Sequence, residues 1–277
     1  NKLFFFGDYE ATRPRESTTT SSTLPTQAMR NGNFSEVVQS GKAVRDPAGN
    51  QPFPNNTIPA SRIDAVARTL VALYPDPLRP GIAANYTVNS PISNNYDKGD
   101  VRVDWNVRGT DNIFWRLSKH SEVEPAVLTL PSPAFAGGFD SSTDGVNTGL
   151  SWNHIWTPNL IMSVRGGWNF SVFRRDNPAA AKGELLSAKY GIKGGNNTLP
   201  GGFSAMNISG YAGLGIGASN PVDRDSQNRQ LAGDLTWTRG RHMFKMGANV
   251  LASQNNIYNM RNEVGGWTFN ARYTGDG

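Results

Sequence analysis

The side chains that could carry proton, metal or nucleophile chemistry are few and scattered along these 277 residues. His120, His154 and His242 fall in different segments, and none has a second His or a carboxylate at metal-ligand spacing. Cysteine is absent, which removes disulfides, thiolate metal sites and Cys nucleophiles together. The carboxylate pairs Glu122 with Glu124 and Asp223 with Asp225 lie in segments that read as loops, where solvated charge is the default. No Ser stands in a G-x-S-x-G context, and Gly213, Gly215 and Gly217 lack the preceding strand and following helix of a phosphate cradle. The expectation is a protein that is not an enzyme, with no catalytic residue, metal or cofactor.

A different set carries the signal. Arg102, Asp104, Arg116, Arg165, Asn169 and Asp234 each sit beside apolar residues in strictly alternating segments, and a period of two places the two kinds on opposite sheet faces. Such a polar face can pair its charges internally or meet a ligand. Its elements are three hairpins. Val101, Val103, Trp105 and Val107 lead through a turn at 109–112 to Ile113, Trp115 and Leu117. Val146, Thr148, Leu150, Trp152, His154 and Trp156 lead through 157–159 to Leu160, Met162, Val164, Gly166, Trp168, Phe170 and Val172. Leu231, Gly233, Leu235 and Trp237 lead through 238–241 to Phe244, Met246, Ala248, Val250 and Ala252. Through all three, the apolar face carries no Asp, Glu, Lys or Arg until the segments end, and His154 is its only titratable group.

Segregated charge of this kind fits either a soluble sandwich or a transmembrane barrel. Trp105, Trp115, Trp156 and Trp237 gather at the turn ends, as a girdle at a bilayer interface does. Segment lengths suit the roughly 9 to 11 residues that a tilted strand needs to cross the hydrocarbon layer. Mean hydropathy of −0.48 and 37% hydrophobic content are low for a helical membrane protein, yet barrel strands conceal their lipophilicity in every second residue. The net charge of +5 is spread without a basic run, so no nucleic-acid partner is expected.

Connections run long (13–96), tight (109–112), medium (123–143), tight (157–159), long (176–225), tight (238–241) and short (259–264), placing the long loops outside the cell and the tight turns in the periplasm. The first strand alternates Leu3, Phe5, Gly7, Tyr9 and Ala11, and the last Trp267, Phe269, Ala271 and Tyr273, for eight strands. Within the first loop, Ser61 as N-cap, a stripe of Ile63, Val66, Ala67, Leu70, Leu73 and Tyr74, and Pro75 as the stop predict a helix of three to four turns near 61–74, which either anchors its own loop, the commoner role, or serves as a lid or docking element. A weaker helix is expected over 183–190. The loop aromatics Tyr86, Phe135, Phe139 and Tyr211 suit either ligand capture or self-packing.

Four phrases of the first loop, Lys2 to Glu10 (KLFFFGDYE), Ala28 to Ser35 (AMRNGNFS), Asp46 to Pro54 (DPAGNQPFP) and Asn56 to Pro75 (NTIPASRIDAVARTLVALYP), occur in an order that resembles the Oar-like TonB-dependent outer-membrane receptors. The stretches Asp100 to Trp105 and Asp111 to Ser118 are similar to the next barrel hairpin of that family. The resemblance implies a barrel of about 22 strands with a plugged lumen in a Gram-negative outer membrane. It also implies energy coupling through the TonB complex and transport of a small ligand or peptide. The expectation is therefore an all-β, antiparallel transmembrane β-barrel fragment spanning 1–277, with its plug domain and remaining strands outside these residues. Its partners would be outer-membrane lipid, the TonB complex through that plug, and an unidentified ligand. The alternative is a soluble secreted β-rich binding or adhesion protein.

Overall fold

The computed structural model describes residues 2–38, 42–127, 129–131, 139–176, 182–195, 198, 202–215, 219–261, 265–270, 272 and 274–275. Its wall is one antiparallel sheet of seven strands: β1 (Leu3–Thr12), β6 (Asn95–Arg108), β7 (Asp111–Glu124), β8 (Asp140–Thr157), β9 (Leu160–Asp176), β11 (Ser219–Arg239) and β12 (His242–Arg261), hydrogen-bonded in that order. The sheet is open, with β1 and β12 at its edges. Three two-residue turns close one end, at Gly109 and Thr110, at Pro158 and Asn159, and at Gly240 and Arg241. Gly240 sits at φ +62, a conformation that tight hairpin turns require and glycine adopts without strain.

Register decides the faces, because residues paired across an antiparallel ladder point the same way. One row runs Arg102, Arg116, Gly149, Gly167, Gln230, Leu251. The offset row runs Val101, Leu117, Thr148, Trp168, Arg229, Ala252. The two alternating sets of the sequence thus fall on opposite faces, and the apolar one lies bare, with Phe5 87% and Val250 67% exposed. A soluble sheet would bury these side chains, whereas a wall immersed in lipid turns them outward.

The strands run further than the alternation indicates. β11 has 21 residues and β12 has 20, roughly 65 Å at the usual rise, well beyond a membrane crossing. The β1/β6 ladder is followed outward by a second ladder, β2 (Glu16–Ser22) against β5 (Tyr86–Ile92), inside the expected first loop. Its ESTTTSS sequence is polar on both faces, so no contrast marks it as strand.

Beyond the wall, the long loops pack on one another. Leu24, Leu70, Tyr74 and Tyr86 of the first excursion, Leu130 of the second, and Leu186, Ile192, Phe203, Met206 and Leu214 of the third form one buried cluster. This cap also holds the short ladder β3 (Arg45–Asp46) with β4 (Gln51–Pro52) and the helices α1 (Gln27–Arg30), α2 (Ser35–Val38), α3 (Ala65–Val71) and α4 (Leu186–Lys189). Asn85 is fully buried at its base, where its amide accepts from Leu24 N at 2.7 Å and donates to Leu24 O at 2.9 Å and Gly81 O at 3.1 Å.

Two expectations need correction. The helix starts at Asp64, not Ser61: the Asp64 carboxylate accepts from Val66 N at 2.8 Å and Ala67 N at 3.2 Å, while Ala60–Arg62 form a separate 3-10 turn and Ile63 is extended. The helix is correspondingly short, but its expected stripe does anchor the loop, with Leu70 and Tyr74 buried and Val66 and Leu73 against them. Among the described residues the wall has seven strands, not eight. Trp267 and Phe269 belong to β13 (Gly266–Phe269), which pairs in parallel with β10 (Ala205–Ile208) in the cap. The Trp267 ring lies over Gly194, where a Cβ would make only an ordinary contact with it. Ala271, Tyr273, Phe135 and Gly217 lie outside the described residues.

Candidate functional site

The polar face carries a half-open cavity of about 700 Å3. Four of the six candidates line it: Arg116 from β7, Arg165 and Asn169 from β9, and Asp234 from β11. Arg102 and Asp104 stand beside it on β6, in register with Arg116 and Phe114. The period of two brings all six to one face, and the register brings them to one neighbourhood.

Most of the charge is already paired. Arg102 holds Asp104 through two bonds of 2.7 Å, while its guanidinium lies 4.5 Å from the centre of the Phe114 ring. Arg165 is bonded to Asp234 across the β9/β11 ladder. Both pairs are substantially exposed, so each contributes little to stability. Arg116 differs: it donates to Asn147 Oδ1 at 3.1 Å and has no carboxylate within ion-pair distance among the described residues.

Amides complete the lining. Asn147, Asn169 and Asn228 stand in one register row across β8, β9 and β11, and the next rows contribute Gln230 and Asn249. Between Arg116 and Gln230 the floor is Gly149 and Gly167. A Cβ at either glycine would make only ordinary contacts, so their bareness widens the trough without being forced by packing. Side-chain amides both donate and accept, so this surface can hydrogen-bond a neutral polar solute through either kind of group, with Arg116 available to a carboxylate or phosphate. Asn228 and Gln230 escaped the sequence reading because Gln227 and Arg229 are polar as well, which erases the alternation at that end of β11.

The histidines are structural in placement. His154 is on the apolar face as expected, and Asp111 shares that face at the turn end. Asp111 Oδ1 lies 2.6 Å from His154 Nδ1 and accepts from Trp152 Nε1 at 3.0 Å, and Trp156 meets the His154 ring edge-on at 4.5 Å. His120 lies on the polar face, stacked on Tyr96 with centroids 6.3 Å apart and spread across Gly145. His242 is tilted against Phe244. Among the described residues no three His, Asp or Glu side chains come together as metal ligands.

In the cap, a smaller cavity of about 460 Å3 is lined by Gln27, Arg30, Arg68, Tyr74 and Asp76, among others. Arg30 is spent internally on the carbonyls of Pro25, Tyr74 and Pro75, and burial lowers its pKa. Burial likewise raises the pKa of Tyr74, whose hydroxyl donates to the Ala212 carbonyl and so links the first and third loops. Tyr211 donates to Met29 Sδ at 3.4 Å, and Tyr86 is in the cap core, so these loop aromatics serve packing.

Three of the four phrases, 28–35, 46–54 and 56–75, also meet in space, while Lys2 to Glu10 runs into β1 of the wall. Ile58 N donates to Gly32 O at 2.9 Å, and Gly32 at φ +86 could take no Cβ, which would lie 2.7 Å from that same Ile58 carbonyl oxygen. Asn56 accepts from Val44 N at 2.6 Å and donates to Phe34 O at 2.7 Å. Arg62 grips Asp46 through two bonds of 2.8 Å beneath the Phe53 ring, and with the Ala48 amide it holds the Asp46 pKa down to about 2.

A family model for an outer membrane beta barrel domain matches residues 1–277. No curated protein and no solved structure matches the chain.

Proposed function

The chain belongs to the outer membrane beta barrel domain family, and on that premise we propose that it is wall and cap of a TonB-dependent receptor that moves a small polar ligand or peptide across the outer membrane. Its place in the outer membrane follows from the family and agrees with the bare apolar face. The soluble secreted alternative does not fit such a chain.

The observation that carries the proposal is the amide-lined trough, which gathers Arg116, Arg165, Asn169 and Asp234 around a cavity of about 700 Å3 on the face turned from lipid. TonB dependence rests on the resemblance of the four first-loop phrases. The role is non-enzymatic: ligand enters past the cap, meets the trough, and is released inward when the periplasmic coupling complex displaces the plug.

The test is in vivo crosslinking of the full-length product to the TonB protein. Crosslinks that rise with the proton-motive force are expected. Their absence, in cells where another TonB-dependent receptor does crosslink, would contradict coupled transport and leave an uncoupled pore or a surface receptor.

A further inference from the structure

On the apolar face, the outward end of the wall carries a feature that transport does not explain. Trp168 and Phe170 of β9 stack with centroids 5.8 Å apart. Lys119 occupies the register row of Phe170, one strand further through Val146. Arg229 is paired directly with Trp168 from the other side. Two cations therefore flank one aromatic pair, separated by three strand spacings, roughly 14 Å.

On β7 and β11 these are the first charges met outward from the turn-end girdle. Inward of Lys119 the same face presents Leu117, Trp115 and Ile113, and inward of Arg229 it presents Leu231, Gly233, Leu235 and Trp237. The row one step further out on this face carries the carboxylates Asp97, Asp144 and Asp225. Both cations are exposed. Arg229 touches Gln227 Oε1 at 3.0 Å, and among the described residues neither has a carboxylate partner. A cation at the edge of an apolar belt, without an internal partner and beside interfacial aromatics, is placed for the anionic headgroups of the surrounding lipid.

We propose that Lys119 and Arg229 bind the phosphates of an outer-leaflet glycolipid whose acyl chains descend over Trp168, Phe170 and Leu150. The spacing favours a headgroup with two phosphates over a single phosphate, since one phosphate cannot touch both cations. Arg229 contributes a planar fork of donors and Lys119 a point charge.

The test is a titration of diphosphorylated lipid A into the full chain in dodecyl maltoside micelles, read by tryptophan fluorescence. Each of Lys119→Gln and Arg229→Gln is expected to weaken binding about fivefold and the pair about thirtyfold, from the usual contribution of a basic side chain near an anionic lipid surface. Unchanged binding of a phosphate-free glycolipid by both variants would show that they remain folded. For the unaltered chain, lipid A binding should weaken as salt is raised. The proposal is overturned if the double variant binds within twofold of the parent or if binding is indifferent to salt. It is equally overturned if excess inorganic phosphate displaces the lipid, which would make this a site for a free anion.

Discussion

At Gly145, the smallest side chain makes room for a large one on the neighbouring strand. A Cβ there would lie 2.1 Å from His120 Cε1, so the imidazole must leave its stack on Tyr96 to admit one. Gly145→Ala should cost about 1 to 3 kcal/mol, as overpacking does, and His120→Ala in the same chain should recover most of it, read as urea midpoints of the chain folded into vesicles. Additive losses in the double variant would show that the two sites do not meet. The ladder places both residues on the polar face, and the sequence cannot show their contact, because register between strands is set by turns and bulges. The Asp111 to His154 pair escapes for the same reason. The six polar-face candidates were legible because they need only the period of two. Their pairing, which leaves Arg116 without a carboxylate, needs the ladder.

Among the elements, the turn-closed hairpins were legible because lipid on one side and water on the other impose the strongest contrast a strand can carry. Where both faces meet water, as in β2 and the outer part of β11, the contrast vanishes and strands read as loop. The cap was invisible for a further reason: Leu24, Leu130, Phe203 and Leu214 are single apolar residues in separate excursions, with no period to link them. Its clasp between Asp46 and Arg62 makes a pH prediction. The folded pKa of about 2 lies below the ordinary 3.8, so this contribution is fully present above about pH 4 and is lost as pH falls through about 2. Protection of the Ala48 amide, taken relative to its intrinsic exchange rate at each pH, should fall over that window, and Arg62→Gln should make the onset occur nearer the ordinary carboxylate range. A protection factor unchanged from pH 5 to about 2 would contradict the clasp.

For the whole molecule, one wall with two solvents accounts for the segregated faces, the two aromatic levels near the turns and near Trp168, and the polar cavity that membrane family membership turns toward the lumen. The absence of cysteine makes the partition directly measurable. Single cysteines placed one at a time at Val164, Arg165, Gly166, Gly167, Trp168 and Asn169 of β9, with the full chain in lipid vesicles, can be challenged with a membrane-impermeant maleimide. The account predicts labelling at Arg165, Gly167 and Asn169 and protection at Val164, Gly166 and Trp168. Uniform labelling along β9, or protection of the residues that line the trough, would contradict it.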